Sequence, residues 1–109
     1  MQDTISKIEE RIRNAGALKE ENRAELLGLL GELKSQIGAL SQTNQEQAQS
    51  IAGFTELSAH EATREAKNPA LLKHSTLGLK SSVSELEQSH PKLVGLVNRI
   101  ASMLANMGI

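Results

Sequence analysis

Residues 72–107 read LKHSTLGLKSSVSELEQSHPKLVGLVNRIASMLANM. Apolar or small residues, with His90 as the exception, recur at Leu72, Thr76, Leu79, Val83, Leu86, His90, Leu93, Val97, Ile100, Leu104 and Met107, in steps that alternate between four and three. That alternation is a heptad pattern, which keeps one face of a helix against a partner helix. The series Leu72, Leu79, Leu86, Leu93, Ile100, Met107 is apolar at every seventh position. Pro91 interrupts it. A proline inside a helix costs about 3 kcal/mol, because it removes a hydrogen bond and clashes with the previous turn. The phase nevertheless continues, so the pattern predicts a helix over 69–107 that is kinked or briefly broken near Pro91 into coaxial segments. Ser89 or His90 then starts the last segment, with Pro91 in its first turn, where the missing N–H matters least.

Upstream, the same alternation runs through Leu26, Leu30, Leu33, Ile37, Leu40, Asn44, Gln47, Ile51, Phe54 and Ser58. Residues 41–50 are polar apart from Ala48. The phase agrees on both sides of them, which favours a helix running unbroken over 19–67. Asn68-Pro69 marks the turn, since the residue before a proline is pushed away from helical geometry. A reversal near residue 67 pairs positions whose numbers sum to about 134, giving arms of roughly 50 Å at ~1.5 Å per residue.

Before these arms, Ile5, Ile8 and Ile12 form one stripe on a short helix over 4–15. Asp3 or Thr4 can cap its start, and Gly16 can end it in a left-handed conformation. So short a helix needs tertiary packing to persist. The seam widens at one end of the hairpin, through Leu27 and Leu29 on one arm and Val94, Leu96, Ala101 and Met103 on the other. A wider stripe implies a second neighbour. The expected fold is therefore all-α and a single helical domain over 1–109. Its form is an elongated antiparallel coiled-coil hairpin, with the short N-terminal helix making a three-helix bundle at the open end.

Composition narrows the function. Of 109 residues, 39% are hydrophobic and only one, Phe54, is aromatic, so the core is built from Leu, Ile, Val, Met and Ala. Twelve basic residues balance thirteen acidic ones, which gives no electrostatic reason to bind a phosphate backbone. There is no aromatic platform for stacking bases either. The lack of cysteine removes disulfides and thiolate chemistry and fits a reducing compartment. No apolar run approaches the ~20 residues that span a bilayer, and the N-terminus lacks a signal-peptide pattern. A cytoplasmic protein without membrane or nucleic-acid partners is expected.

Three places are candidates for chemistry. "HEATRE" at 60–65 resembles the start of a zinc-protease helix, but Arg64 stands where the second histidine is needed. His60 and His74 could face each other across the turn and hold a metal weakly with Glu61; as plain surface histidines they would do nothing. Ser89-His90 pairs a hydroxyl with an imidazole, yet no third group is recognisable to orient the histidine. Asn44, Gln47 and His90 fall on seam positions at matching heights, and so form a candidate polar layer of the kind that fixes register at a cost in stability. The alternative is that they sit exposed in a loop.

The C-terminal LEQSHPKLVGLVNRIASMLANMGI, together with AHEATREAKNPALLKHS, resembles a family of short bacterial proteins classed as a domain of unknown function. Ser89-His90-Pro91, Leu93, Asn98, Leu104 and Met107-Gly108-Ile109 carry the resemblance. Leu86 departs from it, where the family pattern has Phe. The resemblance implies an all-helical fold and a bacterial cytoplasmic setting, with no activity and no site residues to carry over.

The expectation is thus a structural or protein-interaction module acting through helix packing, by self-association as a homodimer or by docking another protein. It has no enzymatic activity, cofactor or metal. The rival reading is a small binding module with a ligand or weak metal site near His60/His74 or His90.

Overall fold

The computed structural model describes residues 2–16 and 18–107. Five α-helices account for the described chain: α1 (Gln2–Arg13), α2 (Glu20–Leu40), α3 (Gln45–Thr63), α4 (Pro69–Ser82) and α5 (Pro91–Met107), with a 3₁₀ turn at Ser84–Leu86. The fold is all-α, as the spacing predicts.

The apolar stripes do the packing. Ile5, Ile8 and Ile12 are buried on α1, and Leu26, Leu30, Leu33, Ile37 and Leu40 on α2. Leu72 and Leu79 are buried on α4; Leu93, Val97, Ile100 and Leu104 on α5. α3 contributes a stripe of small residues, Ala48, Ala52, Thr55, Ser58, Ala59 and Ala62, around Ile51. Small side chains let helix axes approach closely, and α4 answers with Ser75 and Thr76. The hydroxyls of Thr55, Ser75 and Thr76 are satisfied by the backbone one turn earlier, which removes most of the penalty of burying them.

The helices run up, down, up, down, up. α1 lies antiparallel to α2: the Gln2 amide reaches the Lys34 carbonyl at 3.3 Å, Glu9 pairs with Lys34 at 2.6 Å, and Ile12 accepts from Arg23 at 2.5 Å. α3 and α4 are antiparallel, with the Phe54 ring over Gly78. Arg99 pairs with Glu25 at 2.5 Å, and Asn22 shares a cleft with Met103 and Asn106, so α5 runs antiparallel to α2. α3 is the hub, touching every other helix.

Three features differ from the sequence expectation. First, the helix expected over 19–67 is two helices. Ser41, Gln42 and Thr43 turn the chain, and α3 starts at Gln45. Ser41 Oγ donates to the Gly38 carbonyl at 2.8 Å and Thr43 Oγ1 to Asn44 Oδ1 at 2.8 Å. Short polar side chains that offer such local partners compete with helix continuation. Across the turn the heptad positions are only partly inward: Leu40, Ile51 and Ser58 are buried, Asn44 and Gln47 half-buried and Phe54 exposed.

Second, the break before Pro91 is a reversal and not a kink. α4 ends at Val83, whose φ of −109° and ψ of 0° leave the helix. The Ser82 and Ser84 hydroxyls bond back to Leu79 and Ser81, and α5 opens with Pro91 as its first residue. α5 then folds back along α4. The molecule measures 37 × 24 × 19 Å, too short for arms of roughly 50 Å at 1.5 Å per residue. The elongated hairpin is thus folded twice more into a short bundle, and α5 covers the apolar flank expected to need a second neighbour. Val94, Leu96 and Ala101 are buried there, while Leu27, Leu29 and Met103 pack against the core from its edge.

Third, α1 docks along α2 and α3 and not along α5. Gly16 does not end it in a left-handed turn, since no described glycine has positive φ. Arg23 closes it instead. Its guanidinium donates to the carbonyls of Ile12, Arg13, Ala15 and Leu18. A helix C-terminus and the loop after it leave such carbonyls short of backbone donors; Ile12 and Ala15 accept only long backbone bonds, at 3.3 and 3.4 Å, besides Arg23. The turn at Asn68-Pro69 falls as expected: Asn68 Oδ1 accepts from the Leu71 N–H at 3.1 Å, and Pro69 is the first residue of α4.

Candidate interaction surface on helices α3 and α4

Among the described residues, four large apolar side chains stay substantially exposed: Phe54 at 38%, Leu57 at 45%, Leu71 at 45% and Leu77 at 51%. All four lie on α3 or α4. Phe54 and Leu57 are three residues apart, and Leu71 and Gly78 seven apart, so each pair shares a helix face. The Phe54 ring joins the two faces by lying on Gly78, where a Cβ would come within 2.7 Å of Phe54 Cδ1. A side chain at Gly78 would have to push the ring outward. Leu77 stands one step round α4 from Gly78. Single exposed leucines are ordinary on a protein surface; these four share one helix pair, with Leu77 turned about 120° from Leu71 round α4 at 3.6 residues per turn.

At one end of this face, Phe54 borders a hollow with Glu46, Gln47, Ser50, Ser81 and Glu85. At the other end lie His60, Arg64 and Lys67. Glu61 is buried beneath them and accepts from Arg64 at 3.0 Å; His60 Nε2 stands 3.9 Å from the same carboxylate. The Lys67 ammonium bonds to the Ala62 carbonyl. Among the described residues Glu46 and Glu85 have no ion-pair partner. A second, larger cleft of about 410 Å³ opens at the loop end of the bundle, where Leu18, Asn22, Thr63, Lys67, Met103 and Met107 meet.

The residues singled out from the sequence are distributed differently. Gln47 lies in the hollow beside Glu85, close to the register expected for the α3/α4 pair. Asn44 precedes α3 without capping it, and its Oδ1 accepts from Thr43. His90 sits in the turn before Pro91, its Nδ1 2.8 Å from Ser89 Oγ. Asn44, Gln47 and His90 are each only half-buried, and the bonds of Asn44 and His90 run to their chain neighbours. The Ser89–His90 contact arises because the two residues lie in a turn and not on a helix. Both are accessible, and among the described residues no carboxylate orients the imidazole, so the pair lacks the third element of a nucleophile–base–acid arrangement. His60 and His74 are exposed. Among the described residues no group of three or more metal-ligating side chains is assembled, which leaves the metal-site alternative without support.

Sequence reading placed Phe54 on a buried seam and passed over Leu57, Leu71 and Leu77. Their signal was present: all three are large apolar residues off the heptad positions. No helix among the described residues is long and apolar enough to cross a membrane, so the patch is not part of a span.

No curated protein and no solved structure matches the chain. A family model described as a domain of unknown function, DUF4404, matches residues 1–109, and the chain belongs to that family.

Proposed function

We propose that this protein is a helical interaction module without catalytic activity, working in the cytoplasm, and that it docks a protein partner through the outer face of α3 and α4. One observation carries the reading: among the described residues, every large apolar side chain left substantially exposed lies on that one helix pair. Among the described residues, the other large apolar side chains sit in one continuous core or pack against its edge. A fold that buries Ile5 and Leu104 completely yet leaves Leu57 and Leu71 half-open has placed them outside deliberately or tolerates them for a partner. The family description names no activity. The balanced charge counts favour a protein partner over nucleic acid.

The test is affinity capture from the native host with the wild-type chain and with Leu57→Glu/Leu71→Glu. Both substitutions are at exposed positions and leave the core intact. A specific partner recovered by the wild type and lost by the variant is expected. Identical recovery by both chains would overturn the reading.

A further inference from the structure

We infer that the cleft at the loop end of the bundle binds a small amphipathic anion, a single acidic head on an aliphatic chain. None of the four exposed apolar side chains of α3 and α4 lines this cleft, so the two surfaces are separate.

The walls are apolar, and the charged side chains are cationic. Leu18, Met103 and Met107 are partly buried and carry the core out to the surface here. Methionine side chains adapt readily to an irregular apolar guest. No aromatic side chain is among the described lining residues, so a base or ring has nothing to stack on, and a flexible aliphatic chain fits better. Lys19 and Lys67 are the charged members of that lining, and none of its described residues is acidic. The neighbouring acids Glu20, Glu21, Glu61 and Glu65 stand outside it; Glu20 is paired with Arg23 at 3.2 Å and Glu61 with Arg64 at 3.0 Å. Small-ligand sites combine apolar walls with a few placed polar groups in about 300–1,000 Å³, and this cleft measures about 410 Å³.

Two cations also fix the walls before any guest arrives. Arg23 donates to the carbonyls of Ala15 and Leu18 at 2.9 and 3.0 Å, which pins the loop forming one side. The Lys67 ammonium donates to the Ala62 carbonyl at the end of α3, leaving two of its three N–H donors for an acidic head. Groups ordered in advance spare part of the cost of ordering them on binding.

Titration of the full chain with decanoate, followed by backbone amide NMR shifts, tests the site. Saturable binding with a Kd of about 1 mM or below is expected, with shifts at the start of α2 and at the ends of α3 and α5. Decylammonium has the same tail and the opposite charge, and should bind the wild-type chain about tenfold more weakly or worse. Lys19→Gln/Lys67→Gln should weaken decanoate by a similar factor with an unchanged helical signal. Leu57→Glu/Leu71→Glu should bind decanoate as the wild type does. No saturable binding, equal binding of the two probes, or indifference to the two lysines would each overturn the inference. So would shifts confined to the α3–α4 face that vanish in Leu57→Glu/Leu71→Glu. An empty cleft leaves docking through α3 and α4 standing, since capture from the host reads that face alone.

Discussion

The Phe54 ring of α3 lies on the bare backbone of Gly78 in α4 and stays partly open to solvent. Gly78 is in a helix interior, where alanine is favoured by up to about 1 kcal/mol. Gly78→Ala gains that propensity but pushes the ring outward. The two effects nearly cancel, so the melting temperature should stay almost unchanged, while self-association or partner capture through the face should change. A large loss of stability would mean that the ring cannot swing away and that the α3/α4 contact is tighter than described.

Arg23 supplies the second prediction. Its guanidinium donates to four carbonyls and pairs with Glu20 at 3.2 Å. Hydrogen bonds to a charged group contribute about 1.5–3 kcal/mol when buried, and water replaces part of that at a half-open site. Arg23→Ala should cost about 1–3 kcal/mol in chemical denaturation. Arg23→Lys should recover only a fraction, because an ammonium lacks the planar fork that reaches several acceptors together. An Arg23→Ala chain as stable as the wild type would show that the loop after α1 is held by other means.

Ser58 points the other way. Its hydroxyl is buried and has no hydrogen-bond partner among the described residues. An unsatisfied buried polar group costs about 1–3 kcal/mol. Ser58→Ala should therefore be neutral or stabilising, and Ser58→Leu should destabilise by about 1–3 kcal/mol through overpacking. Thermal melts of the two variants decide it. Marked loss of stability in Ser58→Ala would reveal a partner for the hydroxyl.

The fourth prediction concerns metals. His60 and His74 are exposed and belong to no assembled ligand group among the described residues. Adding zinc should leave the melting temperature unchanged, since only a ligand that prefers the folded state raises it. A zinc-dependent rise lost in His60→Ala would restore the metal alternative.

The comparison of sequence with structure shows where periodicity suffices. Leu26 to Leu40 and Leu93 to Leu104 are buried as the three-and-four spacing requires, and Asn68-Pro69 turns the chain where proline chemistry says it must. What periodicity does not carry is direction. Leu40, Asn44, Gln47 and Ile51 hold phase across a reversal, as do Leu86, His90 and Leu93. A heptad records which residues face inward, not whether the chain doubles back between them. The cues for both reversals were local: the Ser-Gln-Thr-Asn run at 41–44, and Pro91 following a serine-rich stretch. Arg23 was unreadable as a cap, because a surface arginine among mixed charges has no one-dimensional signature. The α3–α4 face was half legible, in Leu57, Leu71 and Leu77 standing off the seam. That Phe54 joins them depends on Gly78 lying opposite, which only the fold supplies.

The fold-back of α5 along α4 and α2 is the claim on which the rest stands, because it shortens the bundle and leaves the outer face of α3 and α4 as the open one. The Glu25–Arg99 pair, at 2.5 Å, is its direct mark. Intrachain crosslinking by a short bismaleimide tests it, comparing a Glu25→Cys/Arg99→Cys chain with a Ser35→Cys/Arg99→Cys chain. The fold-back predicts efficient crosslinking within one chain for the first pair and little for the second, which lies roughly 15 Å further along α2 at 1.5 Å per residue. A long uninterrupted hairpin would set residue 99 opposite residue 35, so the reverse pattern would contradict the account.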